Sequence, residues 1–298
     1  VLRLLVGGRR TAPTRQQSLE GAIEWSYRLL DDLERALFER LSVFVGGFDL
    51  HAVEALSRAA LQNEPVAADA TALLERLVSK SLVEAEPLPD GSMRYRLLEP
   101  IRQFAHERLA SAGKLVDARL QHAEYMLALA EIGGPALCGA DQLEWHRRLE
   151  YERGNLLTAC DYALEMGDSR LGVGLAAALC FWWTRPDRRI EGRARLADAL
   201  TLPMVNGQEF QRAKVLCSLS ILAVMQGDVP ATISWLEQAR QANCVSARLE
   251  IEANLLVIEG VLAGFRGDTQ KARELGQRGR ELAHRHGLHW LEARYLHN

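Results

Sequence analysis

The sequence predicts a mainly α-helical protein with one small β-hairpin. Three observations predict this fold class. Apolar residues recur at helical spacing before residue 80, one pair of short strand patterns follows, and amphipathic helices separated by regular turns fill the remainder. With 298 residues, 48% of them hydrophobic and 25% charged, the chain has a globular composition and the length of about two domains.

Four helices are predicted before the hairpin. The first follows a connector, residues 1–18, and Ser18 is its expected N-cap. The second ends at Gly46-Gly47, because glycine tolerates the positive φ of a helix stop. Asp49 is expected to cap the third helix, and the fourth occupies residues 69–80 with its leucines along one stripe.

A β-hairpin and a further helix complete this first domain. Residues 81–85 and 93–98 are the strand candidates, and the Pro-Leu-Pro-Asp-Gly-Ser segment between them has turn chemistry. Glu99-Pro100 opens the next helix, since proline is favoured at the first helical position. Helices followed by one hairpin are typical of a winged helix-turn-helix, which the sequence places at residues 19–112.

The remainder of the chain, residues 113–298, predicts only amphipathic helices, with turns that recur at a step of 40 residues. Two helices per unit at this period indicate a TPR-like α-helical solenoid, incomplete at its C-terminus. The TPR pattern is loose, because Thr232 stands where an alanine is expected and Gly276 where an aromatic residue is. The predicted turns are Gly167-Asp168, Arg185-Pro186-Asp187, Gly227-Asp228 and Gly267-Asp268.

The charge pattern does not favour binding to nucleic acid. The chain has 36 basic and 39 acidic residues, a net charge of -3, without the basic footprint that nucleic acid or anionic lipid attracts. The expected recognition helix, residues 69–80, offers only Arg76 and Lys80 to phosphates, with Asp69 and Glu75 opposing them. A structural or switch role is therefore favoured for this helix.

Motifs for catalysis and metal binding are missing from the sequence, and no enzymatic activity is expected. There is no G-x-x-x-x-G-K-[ST] phosphate loop. Gly172-Val173-Gly174 lies in an apolar helix rather than after a strand, so it predicts helix packing. His284, His286 and His289 do not share one helix face, and they are expected to interact with the helix dipole rather than with a metal.

The cysteines and the hydropathy pattern indicate the cellular compartment in which the protein is expected. The five cysteines lie 20 or more residues apart without a CxxC pair, which is typical of reduced thiols in a cytosolic protein. No segment has the apolar length of a membrane span or the pattern of a signal peptide. We therefore expect a cytoplasmic protein with no membrane partner.

The densest aromatic run is Phe181-Trp182-Trp183. Its first interpretation is the core and concave lining of the solenoid, and the alternative is a platform on which a ligand stacks. Trp182, Trp183 and Arg185 are the candidate residues of a groove for a ligand or partner.

Several ordered segments resemble the winged-helix module of bacterial STAND-type, NB-ARC-like ATPase regulators. These segments are Arg10–Leu19, Glu24–Leu30, Leu41–Phe48, Leu77–Val83 and Tyr95–Ala105. Three later segments are similar to the helical-repeat region of the same regulators, namely Gln142–Trp145, Glu152–Leu156 and Phe181–Trp183. The resemblance covers most of the chain and is strongest up to residue 200.

The resemblance implies a piece of a large cytoplasmic transcriptional regulator of the LuxR-type or a similar class. In that family an upstream nucleotide-binding domain, which takes ATP or ADP and Mg²⁺, packs on the winged helix, and the solenoid senses an inducer or a protein. A DNA-binding or cyclase output domain lies elsewhere, so DNA is expected to be contacted only through that domain. The sequence leaves open whether activation drives oligomerisation. The chain is expected to begin after the ATPase core, to end inside the repeats, and to hold no cofactor itself.

A switch segment is also implied by the resemblance. Leu97-Leu98-Glu99 falls where related eukaryotic immune receptors carry a Met-His-Asp nucleotide sensor, which makes Arg96, Leu98 and Glu99 the candidate residues. Leu98 in place of the histidine departs from that pattern and argues against direct phosphate sensing. Glu99 is then expected to cap its helix.

The sequence favours a non-catalytic regulatory and sensor fragment of a signal-responsive bacterial transcriptional regulator. Its winged helix would relay the nucleotide state of the ATPase domain, and its solenoid would bind an inducer or a protein. Two alternatives remain: a winged-helix module that binds DNA directly, and a protein–protein scaffold of the TPR type.

Overall fold

A computed structural model describes residues 14–60, 69–203, 205–246 and 248–295. The fold class is confirmed: the chain is mainly α-helical, a winged helix with one small hairpin followed by a TPR-like helical solenoid. The chain divides into two compact units. The first comprises residues 1–126 and 151–159, and the second comprises residues 127–150 and 160–298.

The winged helix-turn-helix of the first unit consists of helices α1 to α5 and one two-stranded antiparallel sheet. Its elements are α1 (Thr14–Arg28), α2 (Asp32–Leu41), α3 (Leu50–Ala60), α4 (Ala70–Ser79), β1 (Glu84–Pro87), β2 (Met93–Arg96) and α5 (Glu99–Ser111). Fully buried aromatic and leucine side chains of α2, α3, α4 and the segments that follow α2 and α4 form its core. The largest are Phe38, Phe44, Phe48, Leu56 and Leu77.

Side-chain caps explain where these helices begin. Asp31 and Glu34 form a reciprocal capping box at the start of α2. Asp49 accepts a hydrogen bond from the Ala52 amide, so its predicted cap is confirmed, and Asp69 likewise caps α4 by accepting a hydrogen bond from the Thr71 amide. Proline stands in the first turn of α5, as the sequence predicts.

The hairpin is displaced from its predicted position. Strand β1 begins at Glu84 rather than at Ser81, because Ser81 has a left-handed φ of 57° and the next two residues, Leu82 and Val83, are buried in the core. Glu84 pairs with Arg96 in the antiparallel register. The hairpin therefore presents its first strand to solvent over most of its length.

Two predicted helix ends are also corrected. Helix α1 begins at Thr14, four residues before Ser18, while the rest of the predicted connector, residues 1–13, lies outside the described residues. Helix α2 ends at Leu41 rather than at Gly46-Gly47. The two glycines have φ values of 86° and 101° and shape the following loop instead.

The first unit is larger than the domain that the sequence places at residues 19–112. Helix α6 (Leu115–Ala136) follows α5, and two residues near its start hold Arg40 of α2, through an ion pair to Asp117 at 3.0 Å and a hydrogen bond to Gln121 at 2.7 Å. Residues 151–159 also belong to this unit.

Short helices joined by tight turns build the second unit. After α6 come α7 (Gln142–Tyr151), α8 (Arg153–Met166), α9 (Ser169–Ala178), a 3₁₀ turn (Trp182–Thr184), α10 (Arg189–Leu200), α11 (Glu209–Met225), α12 (Val229–Ser246), α13 (Leu249–Phe265), α14 (Thr269–Arg285) and α15 (His289–Tyr295). Consecutive helices α11 and α12 pack on each other, and so do α13 and α14. The hydroxyl of Ser220 donates to the carbonyl of Thr232 across the first of these pairs.

The Gly-Asp turns are confirmed. Gly167, Gly227 and Gly267 have φ values between 65° and 78°, a region that L side chains rarely adopt. The aspartate after each glycine accepts a backbone hydrogen bond at the start of the next helix, at distances of 3.0 to 3.1 Å. The Arg185-Pro186-Asp187 turn differs, because α10 starts without a side-chain cap. Within the described part of the chain, every helix is too short or too polar to cross a membrane.

Candidate functional site

Helix α4 is the recognition helix of the winged helix-turn-helix fold. Its apolar stripe, Leu73, Leu74 and Leu77, is buried, whereas Glu75 and Arg76 are exposed. In a DNA-reading winged helix, the exposed face of this helix supplies donors to phosphates and base edges. The partners of its two cations therefore decide what this face can bind.

Both cations of α4 are engaged by carboxylates at the start of α2. Lys80 Nζ, at the C-cap, lies 2.5 Å from Glu34 Oε2. Arg76 lies 3.5 Å from Glu34 Oε1 and 3.6 Å from Asp31 Oδ2. The Glu34 side chain is only 2% exposed, so its charge is held in place by these cations and by the backbone amide of Asp31. Both cations of this helix are thus paired with carboxylates of the same unit.

The wing, which is the hairpin of β1 and β2, also has its exposed arginine paired with carboxylates. Arg96 Nε donates to Glu84 Oε2 at 2.9 Å across the hairpin, and Glu86 lies 3.9 Å away from the same guanidinium. The hydrogen bond to Glu84 raises the pKa of Arg96. Both acidic residues belong to the exposed strand β1, so the wing presents carboxylates together with its paired arginine.

The other two switch candidates have separate partners. Leu98 is exposed and is the N-cap residue of α5, where it makes no side-chain cap. Glu99 therefore does not cap the helix as the sequence suggests, but lies in its first turn and binds Arg102 at 2.8 Å and Gln103 at 2.8 Å. The hydrogen bond from Arg102 lowers the pKa of Glu99. Arg96 pairs with Glu84 across the hairpin, and Glu99 pairs with Arg102 along its own helix. The charges of both switch candidates are therefore balanced by neighbouring side chains.

A buried polar network centred on Arg94 of β2 escaped the sequence reasoning. Arg94 Nη1 donates to Glu152 Oε1 at 2.6 Å, and Nη2 donates to the carbonyls of Tyr151 at 2.8 Å and Gly47 at 3.0 Å. Asn155 Nδ2 donates to Glu152 Oε2 at 2.6 Å and to the Gly47 carbonyl at 2.9 Å. Its Oδ1 accepts from the Val45 amide at 2.7 Å. The network fastens residues 151–159 to the loop between α2 and α3.

Two glycines make this close approach possible. A Cβ on Gly47 would lie 2.6 Å from the Tyr95 carbonyl oxygen, and one on Gly154 would lie 2.8 Å from the Val45 carbonyl oxygen. Real Cβ atoms do not approach backbone so closely. The Gly46-Gly47 and Glu152–Leu156 segments, which the sequence singled out separately, therefore meet in one place. Their spacing of over 100 residues gave no sign of the contact.

Trp182 and Trp183 are core residues, as the first interpretation of the aromatic run predicts, and their alternative assignment to a groove is wrong. Their side chains are 0% and 1% exposed, because the 3₁₀ turn directs both rings inward, where they meet edge to face at 4.7 Å. The Arg188 guanidinium lies 4.2 Å above the Trp182 ring. Arg185 is exposed and pairs with Asp187 at 3.2 Å. The two tryptophans therefore contribute to the core of the second unit, whereas Arg185 lies at its surface.

Their neighbour Phe181 does line a cavity of about 320 Å³ within the second unit. The cavity is bounded by α9, α11, α13 and α15 and by the end of α6 with the turn that follows it. Its lining includes Phe181, Lys214, Ser218, Glu250, Asn254 and Trp290. This volume is within the range of small-molecule sites.

Three of the five cysteines, Cys138, Cys180 and Cys217, also line this cavity. Burial raises the pKa of the Cys180 thiol, and it raises that of Cys160, elsewhere in the second unit, to about 12. Thiols with raised pKa are poor nucleophiles, so Cys180 contributes apolar surface here. At the C-terminal end, His284 lies 3.1 Å from Glu292, and no group of three ligating side chains is found among the described residues.

Comparison with known proteins identifies the domain in the first unit and relatives of the chain. Residues 30–110 match the family model of the winged helix-turn-helix domain. The chain is 37% identical over 237 residues to the "Putative HTH-type transcriptional regulator Rv0890c" of Mycobacterium tuberculosis and to its counterpart Mb0914c of Mycobacterium bovis. That match covers 78% of this chain and 25% of each relative, so the chain spans about a quarter of the length of the curated relatives it matches. The first unit thus contains a winged helix-turn-helix domain, and the chain is homologous to these regulators.

Two further comparisons cover different shares of the chain. The "Uncharacterized protein Rv0894" of Mycobacterium tuberculosis is 37% identical over 112 residues, which is 38% of this chain and 28% of that protein. Among solved structures, a Signal Transduction ATPase with Numerous Domains (STAND) protein with a tetratricopeptide repeat sensor, PH0952 from Pyrococcus horikoshii, aligns with a TM-score of 0.34 and 13% identity. The alignment covers 93% of this chain and 53% of that chain.

Proposed function

We propose that this chain is the regulatory, non-catalytic region of a signal-responsive transcriptional regulator of the STAND type, LuxR-like or similar. Its winged helix contacts a neighbouring protein domain, the nucleotide-binding ATPase, rather than DNA. Its helical-repeat unit binds an inducer or a protein partner, and DNA is bound by a separate output domain. The name of the mycobacterial relatives supports the regulatory role.

The observation that carries the proposal is that the cations of α4 and of the hairpin, the elements that contact DNA in DNA-reading winged helices, are paired with carboxylates of the same unit. Phosphate contacts supply most of the affinity of DNA-binding domains, and they require lysine and arginine side chains that are free to reach the backbone. Lys80 and Arg76 would have to leave Glu34, which is almost completely buried. Separating them would leave an uncompensated buried charge, an arrangement that costs several kcal/mol.

Exposed apolar residues at the end of α1 support a protein contact. Trp25, in the last turn of the helix, is 66% exposed, and Leu29, the residue after the helix, is 53% exposed. Large apolar side chains at the surface, tryptophan above all, are enriched where proteins bind one another. We assign this face to the nucleotide-binding domain, because the resemblance places that domain immediately before α1.

A DNA titration tests the proposal. The 298-residue chain is mixed with a fluorescently labelled duplex of mixed sequence at 50, 100 and 200 mM salt, and anisotropy reports binding. We expect no binding at 100 mM salt or above, and at 50 mM no dependence on Arg76 and Lys80. The variant E34Q/R76Q/K80Q, which removes the buried carboxylate together with its two cations, should match the wild type, as should the control K114Q/K271Q, in which two exposed lysines are neutralised.

Direct DNA binding is the second candidate, since residues 30–110 match a winged helix-turn-helix model. It predicts affinity that falls steeply with salt, because each neutralised phosphate releases counterions. Loss of that affinity in E34Q/R76Q/K80Q, with its thermal unfolding unchanged, but not in K114Q/K271Q would establish this candidate and refute the protein-contact assignment. For the non-catalytic assignment, phosphate release from ATP by the purified chain should stay at the level of a buffer blank, and turnover above it would contradict the assignment.

A further inference from the structure

We propose that the cavity of the second unit binds a small zwitterionic molecule with an apolar body, such as an apolar amino acid or a dipeptide of such residues. This inference rests on the proposed role of the helical-repeat unit in sensing, and it names the chemical class of the ligand. The size of the cavity, the character of its walls and the two charges inside it carry the argument.

The cavity has walls on several helices and a suitable size. The residues Lys214, Cys217, Ser218 and Ile221 recur at helical spacing along one face of α11, and Ile251 and Asn254 face the same space from α13. Its volume of about 320 Å³ equals that of about ten water molecules in the liquid, at roughly 30 Å³ each. A molecule of that size is an amino acid or a dipeptide rather than a protein segment.

An aromatic corner provides a surface for the apolar body. Phe181, next to the 3₁₀ turn, and Trp290 of α15 meet edge to face with their ring centroids 5.9 Å apart. Both rings are partly exposed and line the cavity, together with Ile221 and Ile251. Burial of an apolar side chain against such walls is favourable in proportion to the area removed from water.

Two opposite charges are available to the ends of the ligand. Lys214 and Glu250 are both half-buried, and within the described part of the chain neither side chain forms an ion pair within 4 Å. Both act on the Cys180 thiol: Lys214 lowers its pKa and Glu250 raises it, so the two charges flank the same point of the cavity wall. A ligand carboxylate at Lys214 and a ligand ammonium at Glu250 would satisfy both.

A singly charged ligand fits less well. An anion at Lys214 would lie close to the Glu250 carboxylate, and a cation at Glu250 would lie close to the Lys214 ammonium. Like charges in a partly buried site repel each other more strongly than in water. A zwitterion places an opposite charge at each of the two side chains and avoids both repulsions. The pair of charges in the cavity therefore favours a zwitterionic ligand over a singly charged one.

Calorimetric titration of the whole 298-residue chain tests the inference. The probes are the apolar L-amino acids and dipeptides made from them. The tightest binder is then compared with its carboxamide, which lacks the carboxylate, and with its deaminated acid, which lacks the ammonium. We expect one-to-one binding of the zwitterion and at least tenfold weaker binding of both analogues.

Charge-neutralising variants assign the two ends. K214Q should weaken the zwitterion at least tenfold and leave the affinity for the carboxamide unchanged, and E250Q should do the same with respect to the deaminated acid. The matched controls K271Q and E274Q neutralise exposed side chains of α14 outside the cavity and should change nothing. If a cavity variant unfolds, the analogue series on the wild type still decides.

Three results would overturn the inference: no heat with any probe at millimolar concentration, an equally tight deaminated acid, or affinities that K214Q and E250Q leave unchanged. None of these results would contradict the proposed regulatory function, which the DNA titration tests independently. Conversely, DNA binding through Arg76 and Lys80 with a steep salt dependence would refute the proposed function but would not contradict ligand binding in this cavity.

Discussion

The two units differ in the cations and carboxylates at their candidate binding surfaces. In the winged-helix unit, Arg94 and Lys80 form ion pairs with buried carboxylates of the same unit. In the helical-repeat unit, several charged residues are also paired, but Lys214 and Glu250 line a cavity without an ion-pair partner among the described residues. Under the proposed function, the paired cations of the winged helix would not supply a DNA-binding surface, and the charges that a ligand can reach would lie in the repeats.

The units also differ in how their helices approach one another. The first relies on contacts between segments far apart in sequence, such as Asn155 with the loop at Val45–Gly47. The second repeats one device, a glycine with positive φ followed by a capping aspartate, and places small residues where helices cross. A single substitution should therefore be most damaging in the first unit.

The largest effect is expected from Arg94→Met. It leaves the Glu152 carboxylate buried and the Gly47 carbonyl without one of its donors, so the first unit should lose about 3–5 kcal/mol of unfolding free energy. Urea unfolding followed by hydrogen exchange of peptides from each unit would measure the loss and locate it.

Arg96→Met is the matched control on the same strand. Its side chain is 55% exposed and its pairs with Glu84 and Glu86 are solvated, so the urea midpoint should not move. Equal effects of the two substitutions would show that the Arg94 network does not hold the first unit together.

The next effect is expected in the second unit from Gly134→Ala. A Cβ at this position would lie 2.0 Å from the Ala178 carbonyl oxygen, so the backbone must shift, at a cost of about 2–3 kcal/mol. The control Gly264→Ala has no atom within 4 Å of its new Cβ and should stabilise helix α13 by up to about 1 kcal/mol. Opposite signs in thermal unfolding would support the close helix crossing, and two stabilising substitutions would contradict it.

A smaller effect, dependent on pH, is expected in the first unit. Burial lowers the pKa of His122 from 6.5 to about 4. Between these values the unfolded chain binds a proton that the folded chain excludes, so stability is full above pH 6.5 and falls as the pH decreases. From pH 6.5 to 5 the loss should be about 2 kcal/mol.

His122→Leu should remove this dependence while keeping the contact with Phe44 apolar. Urea midpoints of both proteins at intervals between pH 7 and 5 would measure it. A pH profile that is the same with and without the histidine would assign the acid sensitivity to other groups.

Sequence reasoning predicted the parts of the fold that depend on local chemistry. The Gly-Asp turns, the cap at Asp49 and the helix within residues 69–80 followed from residue types at fixed offsets. Boundaries set by tertiary packing did not follow. Strand β1 starts later than predicted because Leu82 and Val83 are buried in the core, which no local pattern records.

The site was predictable to a smaller extent. The low number of cations on α4 was visible in the sequence, but their capture by Glu34 depends on how α2 and α4 pack. The aromatic run at residues 181–183 was interpreted first as core and alternatively as a ligand platform. The structure buries Trp182 and Trp183 in the core and leaves Phe181 at the cavity, a division that the sequence did not indicate. The Arg94 network joins residues about 60 positions apart, beyond any motif.

The four lysines of the chain allow the central comparison to be measured directly. Limited amine labelling at one pH, quantified by mass spectrometry, compares Lys80, held by Glu34, and Lys214, in the cavity, with the exposed Lys114 and Lys271. We expect Lys80 to react several times more slowly than Lys214, and E34Q to remove that protection selectively. Labelling of Lys80 as fast as that of Lys271 in the wild type would contradict the account, because the recognition helix would then carry a free cation.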